Sequence, residues 1–377
     1  MRLGLAILIA LHGAIHLIGY REWSKLAAAG QPSDRTLVPL SPTGSRVFAL
    51  LWLAALLVLL AAAALCALRR DAWGALALSG VLLSQGLIVL AWPQAKFGTL
   101  VNVLILLAIV SAAKHARFHH EVDSEIRALL ARPAEPHASS VEPSELERLP
   151  APVRTWLEAS GVVGRERAQT VRLRQRGELR TSPDAAWMPA EAEQYFSVDE
   201  PAFVWKVTTK MMGILPIEGR DKYAAGKGQM LIKAASLVSL VDAADEKIDQ
   251  GAMLRFLGEI VWFPSAALRP YIAWESIDAT SAKATMRHAG KVASAVFMFD
   301  PQGRVVGLQA ERYLGGGADA KLTPWSVSCS DWRTFRGIQI PSQGEVLWKI
   351  ESGSFSYYRW EILDVEHNPP AFSGLGG

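Results

Sequence analysis

The chain has 377 residues, half of them hydrophobic, with a net charge of +3 and two cysteines. That length suits two or three domains, and two cysteines exclude a disulfide framework. The charge argues against a nucleic-acid partner: residues 1–117 hold ten Lys+Arg against three Asp+Glu, whereas the remainder holds 29 against 33.

Four apolar runs open the sequence, Leu3–Tyr20, Val47–Leu68, Ala72–Trp92 and Phe97–Ala113. At about 1.5 Å per residue each crosses a hydrocarbon core of about 30 Å with modest strain. The first run, preceded by Arg2, imitates a signal peptide but lacks a small-residue cleavage pattern. Residues 1–117 therefore read as a four-span α-helical membrane bundle, and membrane lipids are the partner expected for its flanking basic residues. Arg2, Arg69, Arg70, Lys114 and Arg117 favour the cytoplasm for the termini and the short turn, by a slight bias against Arg21, Lys25, Arg35, Arg46 and Lys96 on the other side. The expected placement is multi-pass in a bacterial inner membrane, with the large domain cytoplasmic.

Inside the first run His12 and His16 lie one helical turn apart. Such a pair supplies two of the ligands a metal needs, but the other runs add only Ser84, Gln85, Asn102 and Cys66. Hydrogen bonding to Gln85 or Asn102, pinning one helix to its neighbours, is the favoured reading. A proton-, quinone- or metal-linked site is the alternative, because ionisable groups inside a membrane are functional candidates. Just past the fourth run, "KHARFHH" reads as charged anchoring at the membrane surface.

Residues 118–149 read as a juxtamembrane helix, "EVDSEIRALLARP", and a linker, "PAEPHASSVEPSE". In "LPAPVRTWLEASGVVG" Pro152 suits a first helical turn and Gly161 a stop. From Ala168 the apolar period becomes two. In "TVRLRQRGELR", Val171, Leu173 and Leu179 face one way, and Arg172, Arg174, Arg176 and Arg180 form a basic stripe the other way. Further strands are "FVWKVTT", "IEGRDKYAAGKGQMLIK", "KATMRHA", "ASAVFMFDPQGRVVGLQAERYL", "WSVSCSDW", "GEVLWKI" and "FSYYRWEILDVEH". "DQGAMLRFLGEIVWFPSAALRPYIAW" interrupts them at helical period. Residues 150–377 are thus expected to be an α+β soluble domain: a large curved antiparallel sheet, or half-barrel, with a helical insert.

Within the insert, Arg255 and Glu259 are one turn apart and suit a salt bridge. Trp262 and Phe263 offer a broad apolar surface just before Pro264. Arg220, Asp221 and Arg312 sit on strands from which they can complete a charged cluster with Glu259. Gly226-Lys227-Gly228 lacks the spacing and following helix of a phosphate loop and reads as a hairpin turn.

Strands around a helical insert resemble the bacterial lipoprotein-carrier fold, in which a curved sheet and helical lid enclose acyl chains. A closer resemblance rests on "SQGLIVLAWPQAKFGTLVNVLIL", "LPAPVRTWLEASGVVG", "GRDKYAAGKGQMLIK", "RFLGEIVWFPSA" and "TPWSVSCSDWRTFRGIQIP". Together these are similar to a bacterial family of unknown function, over about Ser84 to Trp360. That family often has an acidic residue ahead of its Ala-Lys-Phe-Gly-Thr run; here the position is Gln94.

No hydrolase elbow, His-Glu-x-x-His, Cys-x-x-Cys or dinucleotide fingerprint occurs, and no cofactor is called for. The leading expectation is a membrane-tethered protein that holds a lipid or other hydrophobic small molecule between sheet and helix, with Trp262, Phe263, Glu259, Arg255, Arg220, Asp221 and Arg312 at the site. The alternatives are a membrane redox enzyme using His12 and His16, and a module presenting its sheet to an unidentified partner protein.

Overall fold

The computed structural model describes residues 2–30, 32–131 and 139–369. The chain divides into two compact units, Met1–Arg117 and Phe118–Gly377. The first six residues of the expected linker, 133–138, lie outside the described residues.

The first unit is helical: α1 (Arg2–Ala28), α2 (Pro42–Ala67), α3 (Trp73–Leu90), the short α4 (Trp92–Ala95) and the opening part of α5 (Gly98–Leu130). Ser41 starts α2 by accepting the Gly44 N–H at 3.1 Å, with Pro42 in the first turn. Among the described residues four helices, α1, α2, α3 and α5, are long and apolar enough to cross a membrane, which associates the chain with one. Their outward surfaces remain apolar, as Leu11, Ile15 and Ile18 on α1 illustrate. The helices meet through glycines: a Cβ on Gly19 would fall 2.4 Å from the Trp52 ring, and one on Gly80 would fall 2.7 Å from Leu59.

The division between the units falls between Arg117 and Phe118, but the juxtamembrane helix is continuous with the fourth apolar run: α5 runs unbroken for 33 residues on to Leu130. Ala, Leu, Glu and Arg continue the helix after Lys114, with no Gly or Pro to stop it. From Phe118 onward α5 belongs to the second unit.

Among its described residues that unit holds α6 (Ala151–Ser160), stopped by left-handed Gly161, and thirteen strands. They are β1 (Thr170–Leu179), β2 (Met188–Ser197), β3 (Ala202–Met211), β4 (Leu215–Ala224), β5 (Lys227–Ala234), β6 (Val238–Ala243), β7 (Ile272–Asp278), β8 (Ser281–His288), β9 (Lys291–Phe299), β10 (Val305–Leu314), β11 (Lys321–Phe335), β12 (Ile338–Ile350) and β13 (Gly353–His367). All form one antiparallel sheet in the order β6-β5-β4-β3-β2-β1-β13-β12-β11-β10-β9-β8-β7. Two meanders therefore run outward from the central β1–β13 pair. The two edge strands, β6 and β7, are joined in sequence by α7 (Glu246–Glu259) and two short 3-10 turns.

This topology obliges the sheet to curl. β4 and β8 are nine strand spacings apart, roughly 43 Å on a flat sheet at about 4.8 Å per strand. Yet the Tyr223 hydroxyl of β4 lies 2.8 Å from His288 Nδ1 of β8, and Lys291 Nζ of β9 donates to the Gly226 carbonyl at 2.8 Å. The half-barrel expectation is met. α7 lies within the curl, touching β4 and β5 of one arm and β9 and β10 of the other. Its buried Met253, Leu254, Phe256 and Leu257 join Phe196, Phe203, Phe297, Trp325 and Trp348 in one core.

Candidate functional site

Glu259 and Arg255 form the expected pair, with Arg255 Nε donating to Glu259 Oε1 at 2.7 Å. Asp221 joins them: Arg255 Nη1 donates to Asp221 Oδ2 at 2.7 Å. Gln194 closes the ring, donating to Glu259 Oε2 at 2.6 Å and accepting from Arg255 Nη2 at 3.2 Å. The guanidinium also lies 5.0 Å from the Phe203 ring and 4.7 Å from the Trp205 ring. Burial pushes the Glu259 carboxyl above its usual range, against the pull of Arg255. The network is buried and internally satisfied, with β2, β4 and α7 each contributing.

Arg220 and Arg312 do not complete this cluster. Side chains alternate along a strand, so Arg220 leaves β4 on the face opposite Asp221. There it meets Glu125 of α5 at 3.2 Å and the Gln229 carbonyl at 3.1 Å. Arg312, on β10, lies over the Trp325 and Trp348 rings at 5.2 and 5.7 Å and reaches the Tyr357 hydroxyl at 3.4 Å. The period of a strand and the distance between β4 and β10 separate residues that a linear reading groups together.

Trp262 and Phe263 follow α7 and are buried in the same core. Phe263 packs on Phe196 at 4.7 Å and Phe256 at 5.8 Å, while Trp262 meets Trp360 edge-on at 5.2 Å. At these two residues the chain's own aromatic side chains fill the space between helix and sheet. The Trp262 indole N–H finds no acceptor among the described residues.

The basic stripe is likewise spoken for. Cross-strand neighbours on β2 and β13 set Glu193 2.9 Å from Arg172 and Glu361 2.7 Å from Arg176, and Asp364 stands 3.9 Å from Arg174. Arg180 bonds the Ser356 carbonyl at 2.7 Å and lies over Trp187 at 4.5 Å. The stripe is a neutralised ladder rather than a bare surface for anionic headgroups.

The first unit contains a different kind of site. His12 and His16, both buried, meet edge-on with ring centres 5.0 Å apart. His16 Nδ1–H donates to the His12 carbonyl one turn earlier at 2.8 Å, so its Nε2 accepts from the Ser84 hydroxyl at 2.9 Å. Asn102 donates to Ser84 at 3.1 Å and to Gln85 at 3.0 Å, leaving its carbonyl to accept from His12 Nε2 at 2.8 Å. That pattern fixes His12 as the Nε2–H tautomer. Its Nδ1 is then a buried acceptor with no partner among the described residues.

The network thus links α1, α3 and α5, with Asn102 in the role the sequence suggests, Ser84 as the hub, and Gln85 bonded to Asn102 and Thr99 rather than to a histidine. Three of the four imidazole nitrogens are engaged in hydrogen bonds, which leaves the pair ill-disposed to share a metal. Beside the network lies a partly enclosed cavity of about 530 Å³. His12, His16, Ile15, Trp52, Ile88 and Val101 contribute to its wall, and Glu22, Arg35 and Gln94 add polar groups. Nothing in the spacing of the apolar runs announces this cavity. Gly19 and Gly98, which also line it, are the sole sequence trace of the room left there.

Residues 139–360 match the family model described as "Family of unknown function (DUF6544)". The motifs between Ser84 and Arg117 lie outside that match. Comparison with curated proteins finds no match. Among solved structures, the chain is similar to a LolA superfamily protein from Nitrosomonas europaea, at 11% identity over 58% of this chain and 94% of that one, with a TM-score of 0.34. It is also similar to a DUF1329 family protein from Desulfovibrio piger, at 9% identity over 63% and 96%, with a TM-score of 0.35.

Proposed function

The chain belongs to the DUF6544 family of unknown function, and for it we propose the role of a membrane protein that binds a lipophilic small molecule in its helical bundle. The cavity beside His12 and His16 carries this reading. Its volume of about 530 Å³ falls within the range of small-molecule sites, and its mixture of apolar walls with a few converging polar groups is their usual chemistry. The wall suits a ligand with an apolar body along Trp52, Ile88 and Val101 and a polar head towards Glu22, Arg35 and Gln94.

The hydrophobic ligand class expected from the sequence is kept; its site moves from the sheet interior to the bundle. Trp262 and Phe263 then serve to pack α7 into the sheet. The second unit is tied to the bundle by chain continuity through α5 and acts at the membrane. Full-length protein purified in mild detergent and extracted with organic solvent tests this. The expected result is one small molecule with an apolar body and a polar head, in near-stoichiometric amount. An extract containing only the lipids of the surrounding membrane, in bulk proportion, would contradict the proposal.

A further inference from the structure

The turn between β3 and β4 breaks a local rule. Ile214 N–H donates to the Met211 carbonyl at 3.2 Å, and Met212 and Gly213 both have left-handed backbones, φ 52° and 74°. Two consecutive positive φ values make a type I′ turn, whose first central position favours Asn, Asp or Gly. A long apolar side chain there is strained. It is also in the open: Met212 is 88% exposed and Ile214 is 77% exposed. The adjacent hairpin adds exposed Val238 and Leu240 on edge strand β6, next to the tip because Ala235 N–H donates to the Pro216 carbonyl at 2.8 Å. A large apolar group kept at a strained, exposed turn implies a use for it.

The path of α5 within this unit says what covers the tip. The chain enters at Phe118, directly after a membrane-length apolar stretch. His119 lies 3.3 Å from Glu218, and Glu125 lies 2.6 Å from Lys222. Six residues of helix rise about 9 Å and four residues of strand about 13 Å, so this part of α5 runs beside β4 in the same direction. Its entering end is therefore the end of β4 that bears Leu215 and the Met212 turn. Lys210, exposed at the same end, suits anionic headgroups.

We propose that the Met211–Leu215 turn is a lipid-contacting tip, with Met212 and Ile214 inserted into the interfacial layer of the bilayer that holds the apolar helices. It acts as a second membrane contact for the sheet unit, independent of whether the bundle cavity holds a ligand.

The test labels Met212→Cys full-length protein with an environment-sensitive fluorophore in nanodiscs of phosphatidylethanolamine and phosphatidylglycerol. Cys66 and Cys329 are buried, so labelled wild type gives the background. Gln302→Cys, in the exposed β9–β10 turn, is the aqueous reference. The expected result is blue-shifted emission, strong quenching by brominated acyl chains and iodide quenching several-fold weaker than at Gln302→Cys. Iodide quenching equal to that reference would overturn the proposal. So would shielding from iodide without lipid quenching, which would mean that protein covers the tip. Ile214→Cys reports on the same turn should Met212→Cys fail to fold.

Discussion

The two units solve opposite solvent problems with the same chemistry. In the bundle, Leu11, Ile15 and Ile18 face outward while His12, His16, Ser84 and Asn102 are buried. In the sheet unit the outward Arg172 and Arg176 pair with acids, and the inward positions are Phe, Trp, Leu and Val. One buried polar network in each unit carries a further contrast. The Arg255–Asp221–Glu259–Gln194 ring is closed on itself, whereas the residues of the histidine network, His12 and His16, border a cavity. A satisfied network holds a fold together, and a cavity with apolar walls and a few polar groups suits a ligand.

Breaking the closed ring tests that contrast most severely. Arg255→Met leaves Asp221 and Glu259 buried without their cation, and should cost about 3–5 kcal/mol in unfolding of the sheet unit. A loss comparable to that of a surface change would mean the ring is open to water.

Asp249 comes next, because it ties both arms of the sheet to α7. It accepts from the Gly228 N–H at 2.7 Å, from Lys227 at 3.1 Å and from Lys291 at 2.6 Å. Burial alone would raise its carboxyl, but the bonds from Lys291, Gly228 and Lys227 outweigh burial and hold it below its usual range. A carboxylate depressed in the folded state contributes stability above its unfolded value, near pH 3.8, and loses that contribution as pH falls through its folded value. Asp249→Asn should therefore cost about 2 kcal/mol at neutral pH and flatten the acid limb of the stability curve. An acid limb unchanged from wild type would remove Asp249 from this role.

In the bundle, Asn102→Leu removes the partner of His12 and should lower stability in detergent by only about 1 kcal/mol, since hydrogen bonds between membrane helices are modest. Arg176→Ala, on the neutralised ladder, should change stability by under about 1 kcal/mol and leave affinity for anionic vesicles unaltered. A marked loss of vesicle affinity would instead make the stripe a headgroup surface.

The sequence makes the apolar runs, the alternating strands and the Arg255–Glu259 pair plain, because each depends on residues close in the chain. β2 escapes such a reading because "MPAEAEQYFS" is rich in Ala, Glu and Gln, residues that favour helices; its pairing with β1 and β3 decides its state. β6 is a short edge strand with little alternation. β7 hides in the tail of the helical insert, where "YIAW" prolongs an apolar run that Pro264 has already ended. The basic stripe looks bare in sequence because its acids lie as far away as residue 366. The cavity is least legible of all, since room between helices depends on how Gly19 and Gly98 let them approach.

Native mass spectrometry of full-length wild type, Ala95→Trp and Trp262→Ala tests the central claim most directly. Ala95 lines the bundle cavity, and Trp262 lies in the sheet core. The account predicts a bound small-molecule mass on wild type that persists in Trp262→Ala and is lost in Ala95→Trp. A mass that survives Ala95→Trp and disappears from Trp262→Ala would contradict it and return the ligand to the space between helix and sheet.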